Sequence, residues 1–260
     1  MKAVITGASS GIGRDMARVL ARQGWQVFLV ARNTEKMLDL QKELGDRSKC
    51  MRCDVSHRDE CESLYNILAA EKVDMLINCA GFGLCGRFLL TDLDTELEMI
   101  DTNIKAVHIL TKLFLRDFEQ RGHGYILNVA SIAGFMPGPM MATYYATKNY
   151  VVSLTEAIYT ELKKRNSPVK ISVFCPGPVN TNFNQRAGVK FAINGIDSRY
   201  AARYAIDKAL RGKTVIIPTA KIKLARFGLR FLPDKAVAAI CFRIQRRKKY
   251  RGEERADTEQ

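Results

Sequence analysis

The chain opens with a short apolar run, Ala3–Thr6, that leads directly into TGASSGIG at residues 6–13. The three glycines of this segment, Gly7, Gly11 and Gly13, lie where a strand would turn into a helix. Glycine at such a turn lets the backbone approach a pyrophosphate closely, and the free N–H groups of the following helix attract the phosphate charge. The segment therefore predicts a nucleotide-binding turn between the first strand and the first helix, with the spacing GxxxGxG instead of the common GxGxxG.

Outward from this turn, short apolar runs alternate with longer amphipathic stretches. The short runs are almost continuously apolar, which is typical of strands buried on both faces. The predicted strands are Ala3–Thr6, Gln26–Ala31, Cys50–Cys53, Met75–Asn78, Tyr125–Ala130, Lys170–Phe174 and Val215–Ile217. The predicted helices are Gly13–Gln23, Thr34–Leu44, Arg58–Glu71, Asp94–Gln120, Thr143–Arg165 and Arg199–Leu210. The alternation predicts an α/β fold, a doubly wound parallel sheet of the Rossmann type with about seven strands, in one domain over residues 1–218.

The composition and the distribution of charge argue against several classes of protein. The chain has 260 residues and a formal net charge of +14, and residues 186–260 alone hold 19 Lys and Arg against 7 Asp and Glu. No apolar run is long enough for a membrane-spanning helix, and no signal peptide precedes the first strand. The seven scattered cysteines fit a reducing compartment, so we expect a cytoplasmic protein without a metal site. The basic residues are local and accompany no recognition motif, which argues against nucleic-acid binding.

Further motifs follow the glycine turn in a fixed order. They are Asn78-Cys79-Ala80-Gly81, Asn103 in a predicted helix, Ser131 thirteen positions before Tyr144-x-x-x-Lys148, and Pro176-Gly177 with Thr181. In this order the motifs resemble those of the short-chain dehydrogenase/reductase family, over residues 2–218. The resemblance implies an oxidoreductase that interconverts a small carbonyl compound and a secondary alcohol with a nicotinamide cofactor, works without a metal, and assembles as a homo-oligomer, a dimer or a tetramer.

The resemblance also implies roles for single residues. The catalytic residues that it implies are Asn103, Ser131, Tyr144 and Lys148. The residues assigned to cofactor binding are Gly7, Ser9, Ser10, Gly11, Ile12, Gly13, Arg32, Asp54, Val55, Asn78, Ala80, Gly81, Tyr144, Lys148, Pro176, Gly177, Val179 and Thr181. Cys79 departs from the family's NNAG motif, because it replaces the second asparagine.

The end of the second predicted strand indicates which nicotinamide cofactor is bound. NAD-binding folds usually carry an acidic residue there, which accepts hydrogen bonds from the ribose 2′-hydroxyl. Here Ala31 takes that place and Arg32 follows. Without the carboxylate a 2′-phosphate is not repelled, and a guanidinium can bind it, so we expect NADP(H) rather than NAD(H). Asp54 resembles the family's contact to the adenine amino group; its alternative role is that of a helix cap.

The residue types at the catalytic positions suit proton transfer. An ordinary tyrosine has a pKa of about 10, and a nearby cation lowers it toward the range of a general base. Lys148 lies four residues after Tyr144 and so on the same helix face, and Ser131 can stabilise charge on a substrate oxygen. By the resemblance, Asn103 supports a water that relays protons from the lysine. Each residue alone is equally compatible with a structural role. Tyr145 is excluded as the base, because the residue four positions after it is an uncharged asparagine.

The segment after the Pro-Gly motif is predicted to be the substrate loop, over residues Val179–Asp197. Its apolar side chains are Phe183, Val189, Phe191 and Ile193. They suit a moderately apolar, lipid-like carbonyl compound.

The basic extension, residues 219–251, is predicted to be helical and is followed by a polar tail, 252–260, whose composition predicts disorder. From 221 to 251 it holds eleven Lys and Arg and one acid. A helix would place Lys223, Arg226 and Arg230 on one stripe and Leu224, Phe227 and Phe231 on another. Such a helix fits peripheral contact with an anionic membrane. It fits equally a lid over the substrate cleft, or a subunit contact with a solvated basic face.

Two alternative functions exist on the same fold, because a fold does not determine a function. One is a non-catalytic nucleotide-sensing protein, and the other is a membrane-surface binding protein. Sensing proteins usually lose the tyrosine or the lysine, and this chain keeps both. The sequence therefore favours an NADP(H)-dependent oxidoreductase.

Overall fold

The apolar runs predicted as strands form one parallel sheet in the computed structural model, which describes residues 1–181, 183, 189–190, 195–246 and 249–250. The strands are β1 (Lys2–Thr6), β2 (Gln26–Ala31), β3 (Ser48–Arg52), β4 (Met75–Asn78), β5 (Tyr125–Val129), β6 (Lys170–Phe174), β7 (Val189–Lys190), β8 (Val215–Ile216) and β9 (Lys249–Tyr250). Seven of them form the sheet in the order β3-β2-β1-β4-β5-β6-β8, with every neighbouring pair parallel. β7 and β9 pair with each other in a separate two-stranded antiparallel sheet. The predicted doubly wound fold is confirmed.

The helices connect the strands and cover both faces of the sheet. They are α1 (Gly11–Arg22), α2 (Thr34–Leu44), α3 (Arg58–Ala69), α4 (Leu93–Ile100), α5 (Ala106–Arg121), α6 (Ala142–Lys164), α7 (Ser198–Leu210), α8 (Ala220–Leu229) and α9 (Asp234–Arg246). Between α4 and α5, residues Asp101–Lys105 form a π-helical turn. The sequence predicts a single helix over Asp94–Gln120, because the apolar spacing continues through this turn without a glycine or a proline.

The core lies in two layers, one on each face of the sheet. On one face α1 and α7 bury side chains such as Met16 and Leu20. On the other face α3, α5 and α6 bury side chains that include Leu64 and Phe114. The small residues that let α7 pack against α1 are Ala201, Ala202, Ala205 and Ala209. Burial on both faces is the reason that the strands are apolar along their whole length.

The sheet order decides where the predicted motifs meet. β1 pairs with β2 on one side and with β4 on the other, so the connections that leave β1 and β4 diverge. In such sheets a crevice opens at the carboxyl ends of the strands. Gly7 follows β1, Cys79 follows β4, and Ser131 follows β5 closely. Three motifs that are far apart in the sequence therefore lie at one edge of the sheet.

A buried polar network fixes the helix that carries the predicted Tyr-Lys pair. Asn128 on β5 accepts a hydrogen bond from Asn78 Nδ2 on β4 (2.9 Å) and donates from its own Nδ2 to Thr155 Oγ1 on α6 (3.0 Å). Asn78 Nδ2 also donates to Thr111 Oγ1 on α5 (3.1 Å). All four side chains are buried, so water does not compete for these bonds. The network joins two strands to two helices and sets the rotation of α6 about its axis.

The basic extension forms α8 and α9, which are separated by a turn at Pro233. The predicted helical structure does not continue to residue 251, because Lys249–Tyr250 form β9, which pairs with β7. α9 is fixed to the segment around the start of α6. Gln245 Nε2 donates to the Tyr145 hydroxyl (2.6 Å), and Cys241 Sγ lies 3.3 Å from Met136 Sδ. No helix in the described part of the chain is long and apolar enough to cross a membrane.

The predicted basic stripe on α8 is wrong for Arg226. Its guanidinium carbon lies 4.0 Å from the centroid of the Phe135 ring, and Nη2 lies 3.4 Å from Glu156 Oε1 on α6. The Arg226 side chain is only 21% exposed. A guanidinium packs well on an aromatic face and keeps a carboxylate partner at the same time, so this arginine faces the protein.

Replacing Asn128 by alanine removes its hydrogen bonds to Asn78 and Thr155 inside the core. We expect the Asn128→Ala variant to lose about 2–4 kcal/mol of unfolding free energy, because buried polar groups lose their partners. Urea denaturation measures the loss. Asn66, which is exposed on α3, is the matched control, and Asn66→Ala should change stability by less than about 0.5 kcal/mol. Equal stability of the two variants would contradict the role of the network.

Candidate active site

A cleft of about 1100 Å³ opens at the carboxyl ends of the central strands. All but two of the predicted site residues line it. They are Gly7, Ser9, Ser10, Gly11, Ile12, Gly13, Arg32, Asp54, Val55, Ala80, Gly81, Ser131, Tyr144, Lys148, Pro176, Gly177, Val179 and Thr181. The structure thus brings segments from both halves of the sheet into one cavity.

The two exceptions, Asn78 and Asn103, lie behind the cleft wall. Asn78 belongs to the buried network, so its side chain supports the sheet and is not part of the cleft lining.

Asn103 lies behind the cleft wall as well, and it is fully buried. Its Oδ1 accepts from the Phe82 N–H (3.1 Å), and its Nδ2 donates to the Phe82 carbonyl (2.9 Å) and to Thr147 Oγ1 on α6 (3.1 Å). Asn103 therefore ties the π-helical turn to the cleft wall and to the turn of α6 between Tyr144 and Lys148.

The glycine turn brings backbone close to backbone at the end of β1. Gly7 has a φ of +70°, and a Cβ there would lie 2.8 Å from the backbone N and Cα of Ala80. Gly11, the first residue of α1, has a φ of +53°, in the region that favours glycine. The first turn of α1 has no acidic residue, and the Ser10 side chain makes no capping hydrogen bond. The start of this helix lines the cleft, so its N–H groups and positive end favour an anion such as a diphosphate.

Arg32 and Asp54 form an ion-paired group after β2 and β3. Arg32 Nη1 lies 3.5 Å from Asp54 Oδ2 and 2.8 Å from Glu98 Oε1 on α4. Asp54 Oδ1 accepts hydrogen bonds from the N–H and the hydroxyl of Ser56 (3.1 and 2.7 Å), whereas the N-cap residue of α3 is His57. Burial acts to raise the pKa of Asp54, but the bonds from Ser56 and the charge of Arg32 outweigh it and lower that pKa. Sequence analysis missed Glu98, because only tertiary packing brings α4 to Arg32.

Tyr144, Lys148 and Ser131 form one cluster in the cleft wall. Tyr144 and Lys148 are both buried, and Lys148 Nζ lies 5.8 Å from the centroid of the Tyr144 ring. Lys148 Nζ donates to the carbonyl of Val129 at the end of β5 (3.0 Å). Ser131 is hydrogen-bonded to Tyr144, and its Oγ accepts from the Ala133 N–H (3.1 Å). Three of the four predicted catalytic side chains therefore lie together in the cleft wall, with Tyr144 beside both Ser131 and Lys148.

Burial dominates the titration of this cluster. It raises the pKa of Tyr144 to about 12, and the hydrogen bond from Ser131 acts in the opposite direction. It lowers the pKa of Lys148 to about 8, because the buried ammonium loses its hydration. Sequence analysis expects Lys148 to lower the pKa of Tyr144. In the structure, the loss of hydration of the phenolate is the largest influence and raises the pKa, and the influence that lowers it comes from Ser131. Near pH 7, Tyr144 is a phenol and Lys148 is mainly an ammonium.

Tyr145 also lines the cleft, but its hydroxyl has a different partner. It accepts a hydrogen bond from Gln245 Nε2 on α9 (2.6 Å), and burial raises its pKa. Asn149, four residues on, donates from Nδ2 to the backbone carbonyls of Ala133 and Met136 (3.0 and 3.2 Å). Tyr145 therefore holds α9 in place, and the tyrosine beside a lysine is Tyr144.

The remaining wall of the cleft is apolar and comes largely from α8 and α9, which we call the roof helices. The apolar lining residues at this end are Phe82, Met136, Met141, Phe183, Ile222, Ala225, Leu229, Leu232, Ile240, Cys241 and Ile244. Phe183 lies with its ring centroid 5.5 Å from that of Tyr144. The rest of the predicted substrate loop at 182, 184–188 and 191–194, and the polar tail 252–260, lie outside the described residues. The inner sides of the roof helices therefore cover the cleft, as the lid interpretation of the basic extension expects.

The chain matches known proteins over most of its length. Residues 1–190 match the family model of the short chain dehydrogenases. Nodulation protein G from Rhizobium sp. (strain N33) is 34% identical over 229 residues, which are 86% of this chain and 89% of that protein.

Solved structures share the fold. A short-chain dehydrogenase from Sphingobium yanoikuyae in complex with NADPH superposes with a TM-score of 0.79 at 27% identity, over 88% of this chain and 94% of that chain. A short chain dehydrogenase/reductase from Burkholderia phymatum in complex with NAD gives a TM-score of 0.80 at 25% identity, over 87% of this chain and 91% of that chain.

The buried ammonium of Lys148 lowers the stability of the fold. The lowering of its pKa from 10.5 to about 8 corresponds to about 3 kcal/mol, and loss of the hydrogen bond to Val129 offsets about 1 kcal/mol of that in a variant. We therefore expect Lys148→Met to raise the unfolding free energy near pH 7 by about 2 kcal/mol.

This gain should depend on pH. Because the folded-state pKa of Lys148 lies below its ordinary value, wild-type stability rises as pH increases from about 8 to about 10.5. The difference between the variant and wild type should shrink over the same interval. Urea denaturation near pH 7 and near pH 10 measures it, with Lys164→Met, an exposed lysine of the same helix, as the control. A Lys148→Met protein less stable than wild type near pH 7 would refute the expectation.

Proposed function

Because the chain belongs to the short-chain dehydrogenase/reductase family, we propose that it is an NADP(H)-dependent oxidoreductase that interconverts a carbonyl compound and the matching secondary alcohol. The observation that carries the proposal is the cluster of Tyr144, Ser131 and Lys148 in the same cleft as the glycine turn. A protein that only senses a nucleotide has no need of a buried lysine beside a buried tyrosine. We assign residues 1–218 to the catalytic domain and residues 219–251 to an extension that covers its cleft.

The cleft fits a nicotinamide dinucleotide. The backbone around Gly7 leaves no room for a Cβ, and the start of α1 would hold the diphosphate. Asp54 and Val55 would hold the adenine, and the segment from Pro176 to Thr181 would hold the nicotinamide end. When bound, the nicotinamide supplies a hydride in the reduction and accepts one in the oxidation.

Proton transfer falls to Tyr144. In the reduction, its hydroxyl donates a proton to the substrate oxygen while the carbonyl carbon gains a hydride, so the product is a neutral alcohol. The raised pKa of Tyr144 keeps the hydroxyl protonated near pH 7, ready to act as a general acid. The Lys148 ammonium beside it stabilises the phenolate that remains. In the oxidation, the same phenolate takes the proton back.

Ser131 and Asn103 support this transfer. The Ser131 hydroxyl donates a hydrogen bond to the substrate oxygen and stabilises the charge that develops there. We assign Asn103 to a positioning role in a water-mediated proton path to Lys148. Asn103 Oδ1 and Lys148 Nζ lie 2.7 and 3.5 Å from the point that a Cβ on Gly81 would occupy. Only glycine at position 81 leaves the space between them open.

The substrate that suits the cleft is moderately apolar and lipid-like. The apolar end holds the side chains of both roof helices beside Tyr144, so a hydrocarbon group would lose its contact with water there. A few polar groups, those of Ser131 and Tyr144 among them, would orient the carbonyl. As is common in this family, we propose that the protein works as a homo-oligomer.

The preference for NADP(H) rests on the end of β2. Ala31 supplies no carboxylate against a 2′-phosphate, and Arg32 and Lys36 both line the cleft. Lys36 lies in the first turn of α2, four residues beyond Arg32, and no motif in the sequence marks it as a cofactor contact. The Glu98 carboxylate, 2.8 Å from Arg32, would compete with a phosphate for the guanidinium. Glu98 therefore weakens the preference for NADP(H) without reversing it.

Removal of one hydroxyl tests the assignment of the acid. Tyr144→Phe should lower kcat for carbonyl reduction by more than about 100-fold and leave NADPH binding within about twofold, measured by the absorbance and the fluorescence of NADPH. Tyr145→Phe, the neighbouring tyrosine in the same cleft, is the matched control and should keep kcat within about tenfold. If Tyr144→Phe turns over as well as Tyr145→Phe, the acid is another group.

Cofactor choice has its own test. Arg32→Ala should weaken NADPH binding by about tenfold and NADH binding much less, whereas Glu98→Gln should strengthen NADPH binding, because it releases the guanidinium. Fluorescence titration gives both affinities. Variants of the exposed pair Arg58 and Glu62, joined across α3 at 2.7 Å, are the controls. Equal wild-type affinities for NADPH and NADH would contradict the proposal.

A further inference from the structure

The roof helices have two different sides. Ile222 and Leu229 of α8 line the cleft. On the opposite side Leu224 and Phe227 are 73% and 58% exposed, and Phe231, just after α8, is 74% exposed. The rings of Phe227 and Phe231 contact each other, with centroids 5.3 Å apart. Leu224, Phe227 and Phe231 follow helical spacing and form one exposed stripe, which we call the outer stripe.

Basic side chains border the outer stripe on both sides. At about 100° per residue, Lys223 and Arg230 fall on one side of it and Lys221 on the other, and all three are exposed. Lys223 Nζ also donates to the Tyr204 hydroxyl on α7 (3.3 Å), so this ammonium lies where the outer stripe meets the body of the protein. From 219 to 246 the chain holds seven Lys and Arg and one acid, Asp234. The outer surface of the roof is therefore an exposed apolar stripe with two basic side chains on one side and one on the other.

We infer that this outer surface docks on an anionic lipid bilayer. Large side chains exposed to water favour burial in an apolar phase. In a bilayer interface, Leu224 and the two phenylalanines would enter the boundary between headgroups and acyl chains. The basic side chains beside the stripe would bind the lipid phosphates. The charge of the surface selects this partner, since an apolar protein surface would match the stripe and leave the cations unmatched.

The same helices connect the outer surface to the cleft. Leu232, Ile240 and Ile244 line the cleft, and they are also 41%, 41% and 50% exposed. These side chains therefore form an apolar rim between the cavity and the outer surface. On the proposed function, docking would let an apolar carbonyl compound pass from the bilayer to Tyr144 with little exposure to water.

Co-sedimentation of the full chain with vesicles of phosphatidylcholine and phosphatidylglycerol tests the docking. Wild type should bind at about 0.1 M salt and less at about 1 M, because the Debye length falls from about 10 to about 3 Å. The charge reversals Lys223→Glu and Arg230→Glu together should reduce binding by more than about tenfold. Phe227→Ser with Phe231→Ser should also reduce binding, and the binding that remains should be abolished by high salt.

The matched control reverses two exposed lysines at the end of α6. Lys163→Glu with Lys164→Glu changes the net charge equally and should leave binding intact. The docking is overturned if wild type ignores anionic vesicles at low salt, or if the control pair loses binding as much as the pair on α8. It is also overturned if the phenylalanine variants change the oligomeric state and not vesicle binding, which would assign the surface to a second copy of the chain.

The proposed reaction is tested separately from the docking. Turnover of a small water-soluble ketone without vesicles should be the same in wild type and in Lys223→Glu with Arg230→Glu. Vesicle binding without any NADPH-dependent turnover would support the docking and contradict the reaction. Turnover without vesicle binding would do the reverse.

Discussion

The arrangement of the site depends on the buried amide of Asn128, which reaches Asn78 in the neighbouring strand and Thr155 in the helix above. An amide inside the core is costly unless its donors and acceptors are paired, and the Asn128 amide is paired in the placement that β4, β5 and α6 adopt. A shift of α6 by one residue would turn the side chain of Tyr144 by about 100°, away from the substrate side. The placement of Tyr144 and Lys148 therefore depends on polar groups of the core that lie outside the cleft lining.

The same helix shows why the site combines groups that the core would otherwise exclude. Lys148 is an ammonium in a place without water, and Tyr144 is a phenol whose ionised form is disfavoured by burial. A charge that forms or disappears at this site interacts strongly with the neighbouring groups, because little solvent screens it. A surface pair at the same spacing would keep ordinary pKa values and would gain little from being adjacent. The wall formed by the roof helices is thus part of the electrostatics of the cluster.

Local patterns in the sequence predict much of this molecule, and their limits have physical reasons. Apolar runs and glycine spacing give the strands and the nucleotide turn, and the spacing of four between Tyr144 and Lys148 gives their common face. The pairing of Arg32 with Glu98 depends on how α4 packs, and no local pattern records it. An amphipathic pattern indicates that α8 has two sides, but not what each side contacts. Arg226 consequently looks like a solvated cation in the sequence, although it packs on an aromatic ring of the protein.

The roof helices follow β8, which is the last strand to join the sheet. The nucleotide turn, the network around Asn128 and the Tyr-Lys helix all precede them, so during synthesis the sheet can form while the roof is still in the ribosome. Recombination near the 3′ end of the gene could therefore replace the roof and leave the nucleotide turn and the Tyr-Lys helix unchanged. On the proposed function and the proposed docking, substrate range and the place of action in the cell would then change together, because both would depend on the same two helices.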